Sequence, residues 1–167
     1  MIKFYFLLWL KWAIRLSVTS IFFASLVTFL ITFYTYVSIG SPPLAEENIS
    51  ALIKIFNFWF VIAWSFTLLI SLFRGIKYIF NDCINGYELK LFECVSDEVI
   101  DVIGYGDLIK VWRKWIMLMI WLVAILMIVT MFNFYNIYAL FGFILVSGYF
   151  SFIIMISKCK KVKIQKC

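Results

Sequence analysis

Residues 16–39 read LSVTSIFFASLVTFLITFYTYVSI, twenty-four positions without a single Asp, Glu, Lys or Arg. At ~1.5 Å per helical residue, such a segment is long enough for a hydrocarbon core of ~30 Å. Three further runs, 55–73, 116–132 and 137–156, are equally free of charge. The whole chain is 65% hydrophobic and 14% charged, where a soluble domain has roughly 45–50% and about 25%. The core of a soluble protein does not generate four such runs. The expected fold is therefore an all-α membrane protein, a bundle of four transmembrane helices joined by one long loop.

The cations set the expected orientation. Of fifteen Lys and Arg, Lys3, Lys11 and Arg15 precede the first run, and six lie between the second and third. Five more follow the fourth, and only Lys54 stands between the first and second. Positive residues are retained on the cytoplasmic side, so this fourteen-to-one split predicts that both termini and the central loop are cytoplasmic. The organisation that follows is a lead-in helix at the interface (1–15), a first span (16–39) and an outer loop (40–54). A second span (55–73), a cytoplasmic acidic loop of about forty residues (74–115) and a third span (116–132) come next. An outer turn (133–136), a fourth span (137–156) and a basic cytoplasmic tail (157–167) complete it. Abundant Ile, Phe, Lys and Asn suggest a bacterial source, hence a multi-pass protein of the inner, or plasma, membrane.

Several function classes recede on the same grounds. The net charge of +6 is spent at the membrane surface rather than along a groove, so no nucleic acid is expected as a partner. The chain has no His and no Cys-x-x-Cys spacing, so neither a metal site nor a cofactor is expected. Cys83, Cys94, Cys159 and Cys167 all fall on the cytoplasmic side in this topology and are expected to be reduced thiols. None of the four runs holds an ionisable residue, which argues against proton relays and voltage sensing. Trp9, Trp12, Trp112 and Trp115 interleave with cations and are expected to mark the interface.

The central loop carries seven of the nine carboxylates. Asn85-Gly86 signals a turn, and the alternation in YELKLFECV after it suits a short strand. A helix capped by Ser96 would follow. The alternative is one amphipathic helix over 88–103. Either arrangement gathers Glu93, Asp97 and Asp101 on an acidic surface, the candidate contact for a protein partner. In the membrane, Ser20, Ala24, Thr28 and Thr32 recur every fourth residue in the first run. Gly142 and Gly148 provide small positions in the fourth. Such stripes allow helices to approach closely in lipid.

At 102–107 the sequence VIGYGD resembles the selectivity filter of potassium channels. That resemblance implies an ion pore whose backbone carbonyls replace a hydration shell. Val102 stands where the filter pattern has Thr, and a filter enters from the outer side, opposite to the side the cations assign. GYGDLIK is also similar to the GxGD pattern of type IV prepilin peptidases, which implies an aspartyl peptidase using Asp107. Its second carboxylate would come from elsewhere, with Asp82 as the candidate. The third and preferred reading makes Gly104 and Gly106 a turn and Asp107 the cap of the helix that enters the third span. Without a nucleophile–base pair or a phosphate-binding loop, the expected function is not enzymatic. It is that of a small membrane protein acting by protein–protein interaction, as an accessory subunit of a membrane complex or as an immunity or exclusion factor. Its expected partners are the bilayer and a membrane protein or a second copy of itself.

Overall fold

A computed structural model describes the chain apart from residues 1, 44, 93–98, 101–102, 130–136 and 159–161. Four long helices dominate it: α1 (Ile2–Ser38), α2 (Glu46–Gly75), α3 (Tyr105–Val129) and α4 (Ile137–Lys158). Two short strands, β1 (Tyr87–Leu91) and β2 (Val162–Lys166), make one antiparallel pair. The chain is mostly helical, and α1, α2 and α4 are long and apolar enough to cross a membrane. Helix α3 has the apolar composition of a span from Ile116 onward, and the end of that run lies outside the described residues.

The sequence breaks α1 by a glycine rather than by Pro42-Pro43. Gly40 takes a φ of 89°. The Ser41 N–H then reaches the Tyr36 carbonyl and the Gly40 N–H reaches Val37. This is the Schellman arrangement, in which a left-handed residue after the helix lets orphan carbonyls be satisfied. The prolines follow the stop and keep the helix from resuming. Tyr36 and Asn48 tie the turn down by donating to the carbonyls of Pro42 and Pro43.

The chain divides into two compact units, one comprising Arg15–Leu72 and the other Met1–Ile14 with Phe73–Cys167. In the first, α1 and α2 fold back on each other. The Ser20 hydroxyl accepts from the Trp64 indole at 3.3 Å, and the Ser20 carbonyl accepts from the Thr67 hydroxyl at 3.0 Å. Ser20 and Trp64 each lie eighteen residues in from the turn-side ends Ser38 and Glu46, the register of an antiparallel hairpin. Ser20, Ala24 and Thr28 are fully buried, and Thr32 is half-buried. Large apolar side chains such as Phe22, Phe29, Phe33 and Phe66 point outward, as lipid-facing residues do.

In the second unit the start of α1 is packed by its own sequence pattern. Phe4, Leu8 and Trp12, one turn apart, are all buried. Helix α3 contributes Leu108, Val111, Trp115 and Met119, a stripe at helical spacing that is equally buried. Helix α4 packs against α3 through Phe152, whose ring stacks on Trp115. Leu89 and Leu91 of β1 and Val162 of β2 close the core.

Candidate functional site

The second unit brings together the start of α1, the loop after α2 and the last strand, and it holds most of the residues singled out by sequence. Between α2 and β1 the chain makes one 3₁₀ turn, Ile76–Ile79, and buries Ile76, Ile79 and Phe80. Asn81 then enters the left-handed region and donates its N–H to the Leu89 carbonyl. Asn85 and Gly86 both have positive φ, 54° and 79°, and Ile84 and Tyr87 exchange backbone hydrogen bonds across them. That is the tight hairpin turn for which an Asn-Gly pair is best suited. The turn sends β1 out as a strand, so 88–103 is not one continuous helix. The Ser96-capped alternative, and with it Glu93, Asp97 and Asp101, lies outside the described residues.

Strand β2 is the element that the sequence reading missed. It forms from the segment expected to be a basic tail. Val162 and Ile164 face Leu91 and Leu89 across the ladder, with Lys163 and Gln165 opposite Lys90 and Glu88 on the other face. The signal was there: VKIQK alternates apolar and polar with period two, the pattern of a half-buried strand. Lys163 also lies 4.6 Å from the centre of the Phe92 ring, a cation–π contact. Lys90 sits 3.4 Å from Glu88. These contacts offset the like-charge pairing of Lys90 with Lys163.

Register also decides the chemistry of two cysteines. Continuing the ladder by one residue, the Cys167 N–H reaches the Gly86 carbonyl. That places the α-carbons of Cys83 and Cys167 6.1 Å apart, and their sulfurs are bonded. The expectation of reduced thiols throughout is therefore overturned for this pair. Cys94 and Cys159 lie outside the described residues.

Of the four tryptophans expected to mark the interface, Trp12 and Trp115 are buried and Trp9 and Trp112 half-buried. The Trp12 ring meets Trp115 and Phe152 edge to face, at 5.7 and 5.2 Å, the geometry that aromatic quadrupoles favour. A β-carbon on Gly148 would stand 2.5 Å from this indole, and one on Gly75 3.5 Å from its nitrogen. Trp12 thus joins α1, α3, α4 and the end of α2. Trp9 donates its indole N–H to the Leu145 carbonyl at 2.8 Å, and its ring packs edge-on against Tyr149. Leu145, Gly148, Tyr149 and Phe152 recur at helical spacing, so one face of α4 receives both indoles. Gly142, by contrast, has open space beside its α-carbon.

At the start of α3 the GYGD stretch is helical from Tyr105 onward. Gly104 is the residue before the helix, and its carbonyl accepts the first helical hydrogen bond from Leu108. Asp107 is the third residue of the helix, and its carboxylate accepts from the Gly104 N–H at 3.1 Å. It thus caps from inside the first turn, the reciprocal half of a capping box. Neither Gly104 nor Gly106 has positive φ, so of the flexible or left-handed backbone expected of these glycines the left-handed form is not used. The Tyr105 ring stacks on Phe73, and Lys77 lies 5.1 Å above it.

This geometry bears on both resemblances. Carbonyls of a helical first turn point along the helix axis to their own N–H partners, whereas a filter directs them at an ion. Asp82, the candidate partner of Asp107, is ion-paired with Lys11 of α1, and Asp107 is engaged by its own helix. Two carboxylates sharing a proton need each other as nearest neighbours. Among the described residues, no three His, Cys, Asp or Glu side chains are grouped so as to hold a metal. In comparisons with protein families, curated proteins and solved structures, no match to this chain was found.

Proposed function

We propose that this chain is a multi-pass protein of the bacterial inner membrane that acts by binding another membrane protein. It crosses four times, with α3 as the third crossing, and both ends and the β1–β2 sheet are cytoplasmic. The fourteen-to-one distribution of cations supports that orientation. The observation that carries the binding role is the sheet module itself. A protein that needed only membrane anchorage would leave its ends loose. Here the start of α1, the central loop and the last strand are folded into one core, with Lys163, Gln165 and Lys166 exposed on β2. A folded, charged surface on so small a membrane protein suits recognition, as in an accessory subunit or an immunity or exclusion factor.

The contact surface would include Glu93, Asp97 and Asp101, adjacent in sequence to β1. Purification in mild detergent tests this reading. A stoichiometric membrane-protein partner, or a second copy of the chain, should co-purify, and reversing the charge at those three positions should reduce its recovery. Recovery of the chain as a monomer without a partner would contradict it.

A further inference from the structure

We propose that Cys83 and Cys167 form a reversible redox pair whose bond state decides whether strand β2 stays on β1. Both residues are exposed, so a small thiol or disulfide can reach the bond, and exposed disulfides are the labile ones. The cytoplasm keeps permanent structural disulfides rare, and those that form there are usually transient and regulatory. The proposal therefore rests on the cytoplasmic placement given above.

What makes the bond decisive is the weakness of the strand it holds. Among the described residues, strand β2 has five residues, pairs with β1 only and lies beside helix α4. A two-stranded pair depends on such packing for its stability. Of its side chains only Val162 is buried and Ile164 half-buried, while Lys163, Gln165 and Lys166 are exposed. The crosslink joins positions 84 residues apart, so it removes much of the freedom that the unpaired strand would otherwise gain. With the bond closed, a lysine-rich strand is part of the module's surface. With it open, the same segment leaves.

The oxidant we assign is a low-molecular-weight disulfide such as glutathione disulfide. One cysteine thiolate attacks a glutathione sulfur, forming a mixed disulfide and releasing one glutathione. The second cysteine attacks the protein sulfur of that mixed disulfide and releases the other glutathione. Two electrons pass from the two protein thiols to glutathione disulfide. The two thiol protons end on the two glutathiones, and reduction is the reverse.

The test uses the full chain in detergent, with Cys94→Ser and Cys159→Ser so that only this pair can react. The protein is equilibrated with defined mixtures of oxidised and reduced glutathione. Maleimide mass-tagging reads the bond, and brief trypsin treatment followed by reducing mass spectrometry reads cleavage at Lys163 and Lys166. The bonded fraction should follow the glutathione ratio reversibly, and cleavage in the strand should be about tenfold faster in the open state. Adding Cys167→Ser, a change at an exposed position, should give the fast rate at every ratio. Equal cleavage in both states, or no bond at any ratio, would overturn the proposal. Labelling of Cys83 from outside intact cells by a membrane-impermeant maleimide, after an impermeant reductant, would instead refute the cytoplasmic placement. The behaviour of the purified protein would be unaffected by that result.

Discussion

The indole of Trp12 occupies the space that a side chain on residue 148 would need: a β-carbon there would lie 2.5 Å from the ring. Helix α4 can approach α1 at this point only because Gly148 has none. The Trp12 ring is in turn packed against Trp115 and Phe152, which restricts how far it can yield. Replacing Gly148 by Ala should therefore cost ~1–3 kcal/mol, the usual penalty of overpacking a filled core. Gly142→Ala is the internal control. It meets open space and should be neutral or slightly stabilising, because Ala favours the helix over Gly by up to ~1 kcal/mol. Thermal unfolding of both variants in the same detergent checks the contrast.

Removing the ring itself is the complementary experiment. Trp12 is 3% exposed, and truncation to Ala leaves a cavity that α3 and α4 would have to close. A loss of ~3–5 kcal/mol is expected. Its indole N–H has no hydrogen-bond partner among the described residues, so Trp12→Phe, which keeps an aromatic ring and deletes the N–H, should cost distinctly less. Equal losses for Phe and Ala would show that the nitrogen, not the packing, matters.

How much of this was legible beforehand depends on the range of the interaction. The apolar runs, the Asn85-Gly86 turn and the strand-like alternation of 87–91 are local patterns, and the corresponding elements were readable from sequence. The role of Gly148 was not. Its small size was evident, but only the meeting of α1 and α4 shows that Trp12 fills the gap. Strand β2 was legible in period but hidden by composition, since a lysine-rich segment also suits a solvated tail. Its partner lies more than seventy residues away, and that distance is why the cysteine pairing was missed. The inward rotation of Trp12 and Trp115 was obscured for a similar reason: tryptophan beside lysine is equally the signature of an interface.

The ion pair between Lys11 and Asp82 should contribute little. The side chains are 53% and 33% exposed, and exposed pairs are typically worth ~0.2–1 kcal/mol. Lys11→Met should lower stability by less than ~1 kcal/mol, and the difference from the parent should shrink as salt is raised. A loss of several kcal/mol, unchanged by salt, would mean that Asp82 is buried in the membrane-embedded protein.

For Asp107 the capping role sets a modest figure. Asp107→Ala removes the acceptor for the Gly104 N–H and a carboxylate from the positive end of α3, which together should cost ~0.5–2 kcal/mol. Asp107→Asn keeps an acceptor and should lie between Ala and the parent. The peptidase resemblance makes the opposite demand. There, Asn would fold normally and abolish cleavage of a membrane substrate, so a cleavage assay alongside the melting curves separates the two roles.

The proposed binding role and the redox pair both depend on which side of the membrane the sheet module occupies. In a chain with Cys83, Cys159 and Cys167 changed to Ser, Cys94 reports the central loop. In a second chain with all four cysteines replaced, Glu47→Cys reports the first turn of α2. Membrane-impermeant maleimide applied to intact cells should label position 47 directly and Cys94 only after permeabilisation. Labelling of Cys94 in intact cells, with position 47 protected, would contradict the topology and return the GYGD segment to the outer face.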